Sequence, residues 1–362
     1  VTPARRLVPG ALAALVLALG LWARDPRQAA PDDGLSQTFY LFGTLVEVVI
    51  RDTPEPRARA AMSMLEGDFR RLHRDWHAWR PGELTRLNAA LARGQGMAVS
   101  DPLLQVLKQG QALSRESRGT FDPAIGGLVA LWGFHDDLPP QGPMPDPQQI
   151  DRLVAARPRI ADLRFDGHVV TSRNPAVQLD LGGYAKGAAL DLAVQRLIAL
   201  GIDNAVLNAG GDLQVIGRHG DRPWRVAIRD PQGWGAVAAL SVEPGEGVYT
   251  SGNYERFLQG DGVRFSHIID PRTGWPVRGI VSATVVARDG ARADAGATAL
   301  SVAGPDHWAE IAQAMGLDQV LLIDDSGQML ATPEMAARLE LLPPTGGGRR
   351  PVLRVLHPAA LN

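Results

Sequence analysis

The chain has 362 residues, 45% hydrophobic and 21% charged, with a formal net charge of -2. That balance excludes a disordered chain, allows one large domain or two ordinary ones, and lacks the basic excess expected of a nucleic-acid surface. Cysteine is absent, which excludes disulfides, thiolate metal sites, a cysteine nucleophile and a lipid-modified N-terminal cysteine.

Residues 1–30 stand apart. Arg5 and Arg6 precede an uncharged run from Leu7 to Ala23, an n-region followed by an h-region, so the segment reads as a secretory signal peptide. The run is near the lower limit for crossing a bilayer, so retention as an N-terminal membrane anchor stays open. A buried helix is disfavoured because the run has no polar face. Residues 31–38 read as a linker, 39–340 as the folded domain and 341–362 as a peripheral tail. "TFYLFGTLVEVVI" reads as a strand or strand pair around Gly43. Residues 55–77 read as a helix, with Ala58, Met62, Leu65, Phe69 and Leu72 at helical spacing. A second helix is expected over 101–118, with Asp101 as N-cap, Pro102 at its first position and Gly119 ending it.

Residues 138–147 read as a loop, and "LRFDGHVVTS" as a hairpin turning at Asp166-Gly167. A strand, a glycine turn, a helix over 186–200 and two strands joined at Gly-Gly follow. Strands are expected around 224–230 and 281–287, a helix over 291–303 and a last hairpin over 318–331. Helices and strands mix without regular alternation, which points to an α+β fold.

Three stretches could carry chemistry. In "DLGGYAKG", Asp180 ends an apolar strand, Gly182 and Gly183 permit close backbone approach, and Lys186 lies near a helix start with free N–H groups. The pattern is neither a Walker motif nor a GxGxxG fingerprint, and taken alone a plain structural turn is the stronger reading. In "RADAGATAL", Asp294 and Thr298 share a helix face; with a backbone carbonyl they would suit Mg2+, and the plain alternative is a carboxylate favouring the helix dipole. In "SHIIDP", His267 could act as a general base with Asp270 orienting it and a titration near about 6.5, or it could simply bond its own loop. His73 and His77 stand at i,i+4 in an arginine-rich stretch, a weak metal pair. No Gly-x-Ser-x-Gly elbow occurs, which argues against a serine hydrolase.

Taken together with "FGTLVEV", "WRPGELTRLN", "GTFDPAIGGLVALWGF", "NAGGDLQVIG", "PWRVAIRDP" and "YTSGNYERF", these stretches are in the order found in the ApbE family, the FAD:protein FMN transferases. The chain resembles that family from about Phe39 to Asp325. The resemblance implies a single mixed catalytic unit of T-fold-like type. It implies an enzyme that needs Mg2+, splits the pyrophosphate of FAD, releases AMP and moves FMN onto a threonine or serine hydroxyl of a partner flavoprotein. That acceptor would be a subunit of a membrane-bound respiratory complex, and the enzyme would be exported to the periplasmic side of a bacterial inner membrane, soluble or anchored. Two rivals remain: an FAD pyrophosphatase with water as acceptor, and a flavin-binding accessory protein without catalysis.

Carried over by position, Asp294, Thr298 and the Gly183 carbonyl match metal ligands. Phe42, Trp79, Thr120, Phe121, Asp122, Asp180, Lys186 and Ile269 fall at FAD-binding positions, and His267 matches the proposed base. Phe42 replaces a frequent methionine, Trp79 a usual tyrosine and Ala124 a frequent threonine. Ala297 stands where some members have a second metal-binding aspartate, so fewer charges would surround the metal.

Overall fold

The computed structural model describes residues 34–135, 140–260, 262–343 and 352–356; the expected signal or anchor over 1–30 lies outside them. β1 (Leu35–Leu41) and β2 (Thr44–Arg51) form an antiparallel hairpin. Its two-residue turn, Phe42-Gly43, has φ of 46° and 78°, the left-handed pair that a type I′ turn requires. The strand pair expected around Gly43 is present. It starts at Leu35, inside the segment read as linker, because Phe39 and Leu41 already turn into the core.

α1 (Glu55–Trp76) buries Ala58, Met62, Leu65, Phe69 and Leu72, the stripe its spacing predicts. α2 (Glu83–Ala92), β3 (Met97–Ala98) and α3 (Asp101–Glu116) follow. Pro102 lies in the first turn of α3, but the N-cap is Ser100 rather than Asp101. The Ser100 N–H and hydroxyl each donate to Glu83 at 2.6 Å, so a side chain of α2 fixes the entry to α3. α4 (Gly126–Leu131) and α5 (Pro147–Ala155) precede the hairpin of β4 (Leu163–Asp166) and β5 (Val169–Ser172). Asp166 pairs with Val169 there, which moves the turn to Gly167-His168, one residue beyond the expected place.

After α6 (Ala185–Ala199) come β6 (Asn204–Ala209), β7 (Asp212–Ile216), β8 (Trp224–Arg229), β9 (Ala236–Val242) and β10 (Gly247–Gly252). Next are β11 (Phe257–Gly260), β12 (Val263–Ser266) and β13 (Ile280–Ala287). α7 (Gly290–Ala314) is two helices that meet at Gly304, where φ is 75° and ψ is 178° just before Pro305; proline cannot continue the hydrogen-bond ladder. β14 (Val320–Asp324), β15 (Met329–Ala331), α8 (Pro333–Ala336), β16 (Glu340–Leu341) and β17 (Leu353–Val355) follow.

Among the described residues nine strands make one sheet in the order β1-β2-β6-β7-β10-β13-β14-β15-β17, antiparallel except for the β15–β17 pair. On one face Val46, Val48, Ile50, Leu207 and Val285 pack with α1, α6 and α7. On the other, Leu213, Val215, Val286 and Leu321 meet Ile228, Leu240 and Val242 of the small sheet β16-β9-β8. β7 lies under both layers and is buried at every position, the polar Asp212 and Gln214 included. β16 pairs with β9 and β17 with β15, so part of the stretch read as a peripheral tail is built into the sheets. A separate cluster of Leu128, Trp132, Phe134, Ile150, Leu258, Phe265 and Ile269 holds the region around α4, α5 and the β11–β12 hairpin. The architecture is α+β, as expected. Among the described residues no helix is long and apolar enough to cross a membrane.

Candidate active site

The "DLGGYAKG" turn leads into α6 and is pinned from three sides. Asp180 accepts the Gly182 N–H through Oδ1 and the Trp79 indole N–H through Oδ2, both at 2.8 Å. Tyr184 is fully buried, gives its hydroxyl proton to the Val106 carbonyl at 2.9 Å and meets Phe121 edge-on at 5.3 Å. Phe121 also lies against Gly183, where a Cβ would come within 3.2 Å of its ring. That close approach presents the Gly183 carbonyl to α7. The Thr298 hydroxyl donates to it at 3.4 Å and shares a hydrogen bond of 3.2 Å with Ser251.

Asp294, one turn before Thr298 on α7, is buried and accepts the Gly187 N–H through Oδ2 at 2.9 Å. The expected set of one carboxylate, one hydroxyl and one carbonyl therefore comes together from two elements. Beside it Lys186 pairs with buried Asp212, whose other oxygen accepts the Thr250 N–H at 2.9 Å. Burial pulls the Lys186 ammonium down, but Asp212, Asp294 and Glu255 outweigh it and hold it well above its ordinary value. The carboxylates show the reverse strain. Burial, then Asp212, raises Asp294, and Glu255, at the exposed edge of the site, is raised by desolvation and by Asp212 against the pull of Lys186. Three carboxylates thus crowd one ammonium, and a divalent cation would relieve them. The oxygens of Asp294, Thr298 and Gly183 are hard donors that fit Mg2+.

The second wall of the site carries His267. Its backbone N–H donates to the Arg256 carbonyl at 3.1 Å, and its ring Nδ1–H donates to the same oxygen at 3.2 Å. A carbonyl can only accept, so the proton sits on Nδ1 and Nε2 keeps its lone pair. Burial, then Arg256, lowers the ring to about 4, with Lys186 adding to the shift; the expected titration near 6.5 is displaced downward. Phe134 meets the ring edge-on at 6.3 Å.

Asp270 does not orient His267. Both of its oxygens are taken by Arg272, through Nε at 2.9 Å and Nη2 at 2.8 Å, and Oδ1 also accepts the Arg272 N–H at 2.8 Å. Its own carbonyl accepts the Gly274 N–H at 2.8 Å, closing a tight turn at Gly274, φ 74°. Closeness in sequence suggests a partner of His267, but the turn directs the carboxylate to Arg272. Ile269 is buried in the separate apolar cluster and bridges to Pro276.

The remaining sequence candidates face partly inward. Phe42 gives its N–H to His73 Nδ1 at 3.0 Å and stacks parallel to Trp76 at 6.3 Å. A left-handed φ at a bulky residue is strained, and these contacts hold it. His77 Nδ1 accepts the Trp79 N–H at 3.1 Å, so His73 and His77 each serve the backbone of a neighbouring aromatic residue. Among the described residues no group of three or more His, Cys, Asp or Glu side chains is arranged to hold a metal ion. Buried Thr120 spends its hydroxyl proton on the Ser117 carbonyl at 2.8 Å. Asp122, raised by burial, accepts the N–H groups of Ala124 and Ile160 and the Ser114 hydroxyl at 2.9, 3.0 and 3.0 Å. Asp212, Ser251, Glu255 and Arg256 were not singled out from the sequence. Their signals were a carboxylate opening an apolar strand and the polar run of "YTSGNYERF".

The ApbE family profile matches residues 42–321. A FAD:protein FMN transferase of Rhodobacter capsulatus is 56% identical over 340 residues, covering 94% of this chain and 64% of its own length; the chain thus spans under two thirds of that relative. The crystal structure of the ApbE protein of Thermotoga maritima superposes with a TM-score of 0.77 at 29% identity, covering 84% of this chain and 99% of its own. The flavin transferase ApbE of Vibrio cholerae does so with a TM-score of 0.75 at 28% identity, covering 85% and 100%. Sequence and fold agree over the same span that holds the convergent oxygens and His267, and the chain belongs to the ApbE family.

Proposed function

We propose that this chain is a FAD:protein FMN transferase that moves FMN from FAD to a threonine or serine hydroxyl of an acceptor flavoprotein and releases AMP. The carrying observation is the meeting of Asp294, Thr298 and the Gly183 carbonyl beside the Lys186–Asp212 pair, with a neutral histidine near enough to feel the Lys186 charge. The Rhodobacter capsulatus relative named above as a FAD:protein FMN transferase supports the same reading. Mg2+ held by Asp294, Thr298 and Gly183 would supply charge neutralisation on the phosphates.

The chain's own residues do the rest. Trp79, held by Asp180, offers an indole face to the isoalloxazine. Lys186, kept protonated by its acidic neighbours, draws the pyrophosphate and steadies the leaving phosphate. The acceptor oxygen attacks the phosphorus of the FMN half, its proton passes to Nε2 of His267, and the bond to the bridging oxygen breaks as AMP departs. Nδ1–H remains on the Arg256 carbonyl, so the ring is aimed before the proton arrives. Positioning and fixed charge account for most of such a reaction.

The acceptor we propose is a subunit of a membrane-bound respiratory complex on the periplasmic side, reached by export through the N-terminal segment. Support comes from the charged-then-apolar pattern of residues 1–30 and from the family resemblance. The test is incubation with FAD, Mg2+ and a candidate acceptor. AMP with a covalently fluorescent acceptor supports transfer; free FMN and AMP in equal amounts with an unlabelled acceptor mean hydrolysis; unchanged FAD means binding alone.

A further inference from the structure

α6 and α7 cross at their N-terminal ends, and each closes the other. The first two N–H groups of α7, on Gly290 and Ala291, donate to the two carboxylate oxygens of Asp191 on α6 at 2.9 and 3.0 Å. In return the Gly187 N–H, in the first turn of α6, donates to Asp294 on α7 at 2.9 Å. Gly187 and Gly290 lie so close between these bonds that a Cβ on Gly187 would collide with the Gly290 carbonyl. Asp289 adds a cap from within the same segment, accepting the Arg292 N–H at 2.9 Å. Helix starts leave such donors unpaired, and here a carboxylate of the neighbouring helix takes two of them.

Asp191 touches none of the proposed metal ligands. It grips the end of the helix from which Asp294 and Thr298 project one and two turns later. A slip of one residue along an α-helix moves a side chain by about 1.5 Å and turns it through about 100°, enough to part both oxygens from the Gly183 carbonyl. We propose that Asp191 is a positioning residue that fixes α7 against α6, so that Asp294, Thr298 and Gly183 form one cation site. This rests on the reading of those three groups as the Mg2+ site.

The experiment is Mn2+ binding to the full chain, followed by the electron paramagnetic resonance of the free ion. It is done for wild type, Asp191→Asn and Asp191→Ala, beside the Mg2+ dependence of FMN transfer and a melting curve. Removal of a residue that orients metal ligands typically costs about 10–100-fold in metal affinity. That loss is expected for Asp191→Ala, with a smaller one for Asp191→Asn, which keeps one acceptor. Half-saturating Mg2+ should rise in step, and the rate at saturating Mg2+ should stay near wild type. Variants that melt lower but bind Mn2+ and respond to Mg2+ as wild type does would overturn the inference and leave Asp191 a structural cap. If Asp191→Ala does not fold, isosteric Asp191→Asn decides by the same criterion. A wild type that binds no Mn2+ overturns the cation-site reading itself, before any variant is compared.

Discussion

The two walls of the site are held by different means. Asp294, Thr298 and Lys186 stand on α6 and α7, which are joined by reciprocal N–H to carboxylate bonds and packed into the main core. His267 follows the β11–β12 hairpin, is tethered to the Arg256 carbonyl, and is backed by a small apolar cluster separate from the sheet. The helical wall concentrates buried charge, which needs rigid partners because an unpaired buried charge is costly. The wall with the histidine sets a neutral ring beside Arg256 and has less core. In the proposed mechanism the first wall places charge and the second transfers the proton.

Substitutions can break the comparison. The largest effect is expected on the helical wall. Asp294→Ala should lower FMN transfer by roughly 10³-fold or more, since metal-assisted charge stabilisation is worth several kcal/mol and each ~1.4 kcal/mol is a decade. A retained melting temperature with lost Mn2+ binding would place the loss at the site, whereas wild-type rates at ordinary Mg2+ would remove Asp294 from it. Next comes Gly187→Ala, whose added methyl must push Gly290 away. Overpacking of this kind costs about 1–3 kcal/mol, so thermal unfolding should shift down together with Mn2+ affinity; an unmoved melting curve would mean the crossing yields easily.

Smaller effects sharpen the contrast. Trp79→Phe keeps a ring but loses the N–H bond to Asp180, so FAD affinity should fall by about 1 kcal/mol or less. Trp79→Ala should lose a further ~0.5–1.5 kcal/mol if the indole stacks on flavin; equal FAD affinities by fluorescence quenching would put the ring elsewhere. The smallest effect belongs to Asp270→Ala. Its exposed partner is Arg272, and such pairs contribute about 0–1 kcal/mol. Single-turnover transfer should drop far less than in a His267 variant, and a matching drop would restore Asp270 as the partner of His267.

What could be read from the chain follows the reach of local rules. The i,i+4 face of Asp294 and Thr298, the glycine turn before α6 and the buried stripe of α1 are periodic features, and each is present. Partners across elements were hidden, because spacing says which face a residue occupies and not what it meets. Lys186 was readable as a cation near a helix start, but not its pairing with Asp212 on β7. The Ser100 cap depends on Glu83 from another helix. Asp270 shows the opposite error: nearness to His267 in sequence suggested contact, and a tight turn sent the carboxylate to Arg272. The basicity of His267 was equally unreadable, since its shift to about 4 comes first from burial.

That shift gives the most direct test of the central claim that a neutral, carbonyl-tethered His267 takes the acceptor proton. The measurement is the pH profile of single-turnover FMN transfer at saturating FAD and Mg2+, for wild type and His267→Ala. A base is active when deprotonated, and a ring lowered to about 4 is already neutral throughout the pH range where an ordinary histidine titrates, near 6.5. The wild-type rate should therefore be flat across that range and fall only in more acidic solution, while His267→Ala should be slower by about 10²–10⁴-fold with FAD still bound. A wild-type rate that climbs through pH 6.5, or a His267→Ala variant that transfers FMN normally, would contradict the account.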